Sequence, residues 1–163
     1  MKMKKCLMLA AALLVLSVMT PAMASATKIP IKGSITAFLT APGEVRITKG
    51  NIMIQRDTEA EGPASGDLSG TIHIKSNVNL NLNTGEGVSF GTFVFTDAHG
   101  TFEGMWRVRY TDFIHFEGAA EGHGTDAYVG MLVKLSFKGL NPPSLINIDY
   151  EGIVLSPKGT TLP

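Results

Sequence analysis

Apolar and polar residues alternate with period two along most of the chain after residue 26, and helical periodicity is hard to find there. Thr71 to Lys75 and Val78 to Asn83 alternate strictly, and Val88 to Thr96, Thr101 to Thr111 and Ile146 to Leu155 continue the pattern. Alternation of this kind is typical of β-strands with one buried face. The pattern therefore predicts strands throughout the region after residue 26.

Short segments rich in glycine, proline and asparagine separate these runs, among them Pro42-Gly43, Thr84-Gly85-Glu86-Gly87 and His99-Gly100. About eight strands joined by short turns predict an all-β fold, a single antiparallel barrel formed by residues 27–163. A two-sheet β-sandwich is the alternative. Glu59 to Asp67, which is rich in acidic, glycine, proline and serine residues, is expected to be the one longer loop.

Two of the predicted strands have unusual faces. Phe90 to Phe95 is apolar on both faces, which predicts cover on both sides by a second sheet, a terminal segment or another subunit. Asn77, Asn79, Asn81 and Asn83 share one face of their strand. A solvent-facing polar row is the favoured interpretation of these asparagines, and a row facing a ligand is the alternative.

The first 26 residues have the order of a secretory signal peptide. Met1 to Lys5 is basic, Leu7 to Val18 is apolar, and Ala24-Ser25-Ala26 is one of two small-residue cleavage sequences. The apolar run is too short to span a bilayer comfortably, and no second run of membrane length follows. We therefore expect export to a secreted or periplasmic location, with no membrane span after cleavage.

Composition removes several classes of function. Three of the 14 basic residues lie in the signal peptide, which leaves 11 against 14 acidic residues, a net charge of about −3. That balance argues against nucleic acid as a partner. The only cysteine, Cys6, lies in the signal peptide, so the mature chain has no disulfide and no thiolate metal site.

Motifs for catalysis or metal binding are missing from the sequence. There is no Gly-x-Ser-x-Gly and no HExxH, so catalytic residues stay unknown. Asp57, Glu59 and Glu61 form a small acidic cluster, but they lack the positions of an EF-hand loop. No metal and no cofactor is predicted.

The candidate binding residues are aromatic side chains with polar tips. Trp106 and Tyr110 share a face with Phe102 and Val108, which predicts that this face points inward, and Tyr150 is a further candidate. His115 and Glu117 share a face of their strand; in the interior they could transfer a proton, and the alternative is an exposed pair on the outer face.

The segment Gly118 to Gly139 resembles a known group of barrels. Gly122-His123-Gly124 followed by Val133-Lys134-Leu135 is similar to the glycine motif and the polar-aliphatic run in a late strand of allene oxide cyclases and dirigent proteins. Gly91-Thr92-Phe93 and Gly100 to Gly104 resemble other glycine-punctuated strands of that group. The resemblance implies an eight-stranded barrel that accepts a small apolar molecule and associates into dimers or trimers. No catalytic residue is assigned from it.

Two functions of different classes follow. The first is an exported barrel that binds a small hydrophobic molecule in its interior, either as a carrier or as a cyclase-like or isomerase-like enzyme that acts by confinement. The alternative is a non-enzymatic envelope or extracellular interaction domain. An interior cavity with a few polar groups would favour the first function.

Overall fold

The computed structural model describes residues 26–140 and 145–163, so the predicted signal peptide lies almost entirely outside the described residues. The described chain forms nine β-strands and one short 3-10 helix at Asp126–Tyr128. The strands are β1 (Thr27–Ala41), β2 (Glu44–Thr48), β3 (Ile52–Gly66), β4 (Gly70–Asn81), β5 (Gly87–Thr96), β6 (Thr101–Tyr110), β7 (His115–Gly124), β8 (Leu132–Leu140) and β9 (Leu145–Ser156). No helix in these ranges is long and apolar enough to cross a bilayer.

Eight of these strands close into one antiparallel barrel, which confirms the predicted all-β fold and replaces the sandwich alternative. Neighbours from β3 to β9 pair in chain order, and β1 pairs with β9 on one side and with β3 on the other. Closure removes free sheet edges along the barrel wall, because each barrel strand has a hydrogen-bonded neighbour on both sides.

β2 is the ninth strand, and it extends the sheet beyond the barrel. It pairs with Ile52–Arg56 at the start of β3, where β1 has already ended. The register between β3 and β4 shifts between Gln55 and Thr58, and Asp57 between them has a φ of 54°. A bulge of this kind bends a strand and increases its twist. β3 therefore pairs with β1 over one half and with β2 over the other.

The predicted loop from Glu59 to Asp67 is wrong, because nearly all of it lies in β3 and is paired on both sides. Its small residues serve close packing rather than turning. A Cβ on Gly62 would collide with the carbonyl oxygen of Thr36 on β1, so glycine lets the two strands approach.

The predicted cover on both faces of Phe90 to Phe95 is also not found within the described chain. Phe93 and Phe95 point into the barrel and are buried, whereas Phe90 on the outer face is exposed. All strands of the described ranges belong to one sheet, so no second sheet covers that face, and cover by another subunit stays a prediction.

Buried apolar residues extend along the barrel interior, and at one end, which we call the closed end, they fill it. The closed end lies where β5 turns into β6 and β7 into β8. The rings of Phe102 and Tyr128 stack there with centroids 4.5 Å apart, and Met131, Val133 and Val154 are buried beside them. The Tyr128 hydroxyl donates a hydrogen bond to the Asp97 carboxylate. The closed end is thus packed with large side chains.

Replacing Phe102 by alanine tests this packing. Phe102 is 1% exposed, so Phe102→Ala should leave a cavity and lower the free energy of unfolding by about 3–5 kcal/mol, measured by urea denaturation. Met105 on the same strand is 73% exposed, so the control Met105→Ala should change the free energy of unfolding by less than about 0.5 kcal/mol. Equal effects of the two substitutions would contradict the assignment of the core.

Candidate functional site

The half of the barrel opposite the closed end contains a cavity of about 680 Å³. It is enclosed by side chains of every strand except β2 and by the loop that joins β6 to β7. Side chains that line it on the deep side include Ile72, Phe93, Trp106, Ala120 and Ile148. Because successive side chains of a strand alternate between its faces, these positions are the inward half of the period-two pattern.

The cavity opens to solvent at the end of the barrel away from the closed end. Leu39 at the end of β1 and Phe113 and Ile114 in the loop after β6 line it, and each of the three is about half exposed. Exposed apolar groups at the edge of a cavity are typical of an entrance for an apolar ligand. We call these three residues the rim.

Asp112 fixes the loop that carries two of the rim residues. Its Oδ1 accepts hydrogen bonds from the backbone N–H groups of His115 at 2.7 Å and Ile114 at 2.8 Å, and its Oδ2 lies 2.7 Å from His115 Nδ1. These hydrogen bonds, first from the two backbone groups and then from the His115 ring, lower the pKa of Asp112 to about 2. The carboxyl group is therefore ionised at neutral pH, which is the form that accepts these hydrogen bonds within the loop.

Three of the five predicted binding residues line the cavity. Trp106 and Tyr110 on β6 and Tyr150 on β9 all do so, and the inward face predicted for β6 is confirmed by the burial of Phe102 and Val108. Trp106 Nε1 donates to the Thr92 carbonyl at 3.1 Å. The indole thus presents its apolar body to the cavity while its polar tip is already bonded.

Tyr150 reaches the deep side of the cavity because of a glycine on the neighbouring strand. Its hydroxyl donates to the carbonyl oxygen of Leu68 at 3.1 Å and lies 3.4 Å from that of Ser65. A Cβ on Gly33 would come within 2.5 Å of the Tyr150 hydroxyl, so only glycine leaves room for this ring.

His115 and Glu117 do not belong to the cavity, which corrects the interior placement considered for them. Both point outward from β7, the His115 side chain is 61% exposed, and its partner is Asp112 rather than Glu117. The inward face of β7 consists of Phe116, Gly118, Ala120 and Gly122. The sequence left open the alternative that both residues are exposed on the outer face, and this alternative is the one observed.

The asparagines of β4 face outward, which was the favoured interpretation of the sequence. They form hydrogen bonds to the bulge in β3. Asn77 Oδ1 accepts from the backbone N–H of Asp57, and Asn79 Oδ1 accepts from Arg56 Nη2 at 2.8 Å. Arg56 Nη1 also donates to the Val78 carbonyl at 2.9 Å. The row has a structural role and does not line the cavity.

Two of the acidic residues around Asp57 lie close to side chains of β4. Asp57 forms an ion pair with Lys75 at 3.1 Å, and Glu59 lies 3.6 Å from His73. In the part of the chain that the structure describes, no group of three or more metal-ligating side chains is found.

Sequence reasoning missed several residues that line the cavity. Ser76 and Ser89 were not singled out, although alternation places Ser76 on the same face as the apolar Ile74 and Val78. The rim residues Phe113 and Ile114 carried no signal, because their position depends on how the loop folds across the barrel end.

Comparison of the chain with family models, with curated proteins and with solved structures finds no match. The fold and the site define the protein as a closed eight-stranded barrel with a mainly apolar internal cavity. The resemblance to allene oxide cyclases and dirigent proteins stays a prediction.

All three tyrosines have a raised pKa, which predicts alkaline destabilisation. Burial raises the pKa of Tyr110 to about 12, burial and the Asp97 carboxylate raise that of Tyr128, and burial raises that of Tyr150. The ordinary pKa of tyrosine is 10.0, so between pH 10.0 and about 12 the folded state holds more protons than the unfolded state. The free energy of unfolding should therefore be constant just below this range and fall as the pH rises through it.

Urea denaturation across that pH range, followed by Trp106 fluorescence, measures this loss. Tyr110→Phe should make the free energy of unfolding fall less steeply with pH, since it removes one of the three tyrosines whose pKa is raised. Tyrosinate absorbance that appears near pH 10.0, the ordinary pKa of tyrosine, while the protein is still folded would contradict the prediction.

Proposed function

We propose that the barrel binds one small hydrophobic molecule in its interior. The observation that supports this is the cavity of about 680 Å³, whose lining is mainly apolar and whose rim is apolar and solvent-exposed. Ligand sites typically measure about 300–1,000 Å³ and combine apolar walls with a few polar groups. Burial of apolar ligand surface contributes about 25 cal/mol per Å², which is the driving force for entry.

The lining supports binding more than it supports a reaction. It contains hydroxyl groups of serine, threonine and tyrosine and the amide of Gln55, and among the described residues no carboxylate, imidazole or amine lines it. General acid–base catalysis uses such titratable groups. The proposal is therefore a carrier or binding protein, and a reaction that works by confinement alone would use the same cavity.

The alternative function, an interaction domain, is favoured by one different observation. β2 pairs only with β3 among the described strands, and its Val45 and Ile47 are exposed. An exposed apolar edge strand is a surface on which a further strand can pair. If the wild-type cavity binds no apolar probe, this alternative becomes the preferred function.

A pair of adjacent alanines on β7 tests the cavity. Ala120 lines the cavity between Trp106 and Leu135, whereas Ala119 points outward between Arg107 and Ser136. Ala120→Phe should fill the cavity and weaken binding of neutral N-phenylnaphthylamine by about tenfold or more, equivalent to about 1.4 kcal/mol. Ala119→Phe should leave the affinity unchanged.

Energy transfer from Trp106, the only tryptophan, to the probe measures the binding. Because the added ring enters open space, Ala120→Phe should lower the free energy of unfolding by less than the about 1–3 kcal/mol that overpacking of a filled core costs. Probe binding that survives Ala120→Phe, or that is lost equally in Ala119→Phe, would place the site elsewhere.

We further propose that the protein is exported with removal of its first residues, since the N-terminal segment has the order of a signal peptide. N-terminal sequencing of the full chain, expressed with a C-terminal tag, should give Ser25 or Thr27 as the first residue outside the cytoplasm. Leu13→Arg with Leu14→Arg should abolish cleavage, because charges in the apolar core block export. Wild-type protein that keeps Met1 in the cytosol would refute export.

A further inference from the structure

The polar groups of the cavity are concentrated on one side of it. β7 and β8 contribute only apolar side chains to the lining, and Tyr150 is the only polar contribution from β9. The strands β3 to β6 supply the others, which are Gln55, Thr58, Ser76, Ser89, Trp106 and Tyr110. A ligand in this cavity therefore meets an apolar wall on one side and hydroxyl and amide groups on the other.

Most of these polar groups already have partners in the protein. Ser89 Oγ donates to the Asn77 carbonyl at 3.0 Å, and Gln55 Nε2 donates to the Pro42 carbonyl at 2.7 Å. The tips of Trp106 and Tyr150 also donate to backbone carbonyls. Such groups need nothing from a ligand, since their donors are satisfied.

Tyr110 differs from these groups. Its side chain is 8% exposed and its ring packs edge-on against Phe116, with centroids 5.8 Å apart. Within residues 26–140 and 145–163 its hydroxyl has no hydrogen-bond partner, and burial is the only cause that raises its pKa to about 12. No fully enclosed side-chain nitrogen or oxygen in those ranges lacks a partner, so the Tyr110 hydroxyl is accessible to solvent, and the residue lines the cavity.

Because this hydroxyl has no protein partner, it can bond to water in the empty cavity or to a polar atom of a ligand. The hydroxyl stays protonated at neutral pH and can therefore donate to an oxygen of a ligand. Trp106 lies four residues before Tyr110 on the same strand, which places their Cα atoms about 13 Å apart along the cavity wall.

We propose that the ligand is an uncharged, elongated apolar molecule with one oxygen atom, a hydroxyl or carbonyl, that accepts a hydrogen bond from Tyr110 Oη. Its apolar part extends past Trp106 toward the closed end. This inference rests on the proposed function. A carboxylate at the same place would lose its hydration beside a lining without a positive side chain among the described residues, which opposes binding of an ionised acid.

Displacement of N-phenylnaphthylamine by decane, decanol and decanoate tests the inference. Tyr110→Phe should weaken decanol binding by about fivefold, since one hydrogen bond is lost, and should leave decane binding unchanged. Decanoate should bind the wild type more weakly than decanol at neutral pH. Decanol brominated at the carbon farthest from its hydroxyl should quench Trp106 more strongly than decanol brominated beside the hydroxyl.

Tyr150→Phe is the matched control. Its hydroxyl is bonded to a backbone carbonyl, so its removal should lower stability and leave the ratio of decanol to decane affinity unchanged. Tyr110→Phe breaks no hydrogen bond within the described protein, so its circular dichroism and its unfolding at neutral pH should match the wild type.

The outcomes separate this inference from the proposed function. If the probe binds but Tyr110→Phe leaves the decanol-to-decane ratio unchanged, the role of Tyr110 is refuted while the cavity stands. If decanoate binds more tightly than decanol at neutral pH, the uncharged ligand is refuted. If the wild type binds no probe, the proposed function itself fails.

Discussion

The structure depends on the closure of the barrel through β1. Gly33, Ser34 and Ile35 pair with Tyr150, Asp149 and Ile148 of β9, and the same three residues pair with Gly66, Ser65 and Ala64 of β3. No cysteine lies in the described ranges, so backbone hydrogen bonds and side-chain packing hold this seam. A seam paired on both sides satisfies its backbone groups, which an open sheet of the same length would leave exposed at its edges.

Closure of eight strands also creates the space that the site occupies. A barrel of this size is just wide enough to be filled by side chains or to hold one small ligand, and the choice depends on the residues that point inward. At the closed end these are large, as with Phe102, Tyr128 and Met131. Around the cavity several are small, as with Ala120, Ser76 and Ser89. The cavity is therefore a direct consequence of side-chain volume along otherwise similar strands.

Local patterns in the sequence predicted most of the strands, but not the second half of β3, and they predicted the inward face of only some strands. The inward face of β6 was predictable because Phe102, Val108 and Tyr110 are large and alternate. On β7 the inward residues include Gly118, Ala120 and Gly122, which carry no apolar signal, so the sequence could not exclude an inward His115.

The glycines of β7 show why this signal was missing. A Cβ on Gly122 would lie 2.7 Å from the ring of Phe93 on β5, so the ring occupies the space that a side chain of β7 would fill. The residues between Glu59 and Asp67 were misassigned for a related reason. Glycine, proline and serine are typical of loops, but here they permit close approach of paired strands, which is a property of the tertiary fold.

The two kinds of buried hydroxyl in the barrel argue for the cavity as the functional region. Ser89 is 1% exposed and bonded to a backbone carbonyl, so it is stable whatever the cavity holds. Tyr110 has a hydroxyl without a hydrogen-bond partner among the described protein groups, so it is free to bond to a group in the cavity. Packing of the barrel does not require this hydroxyl, since phenylalanine would fill the same space. Binding of a ligand supplies a reason to keep the hydroxyl, because sites that bind often retain groups that the folded protein alone does not need.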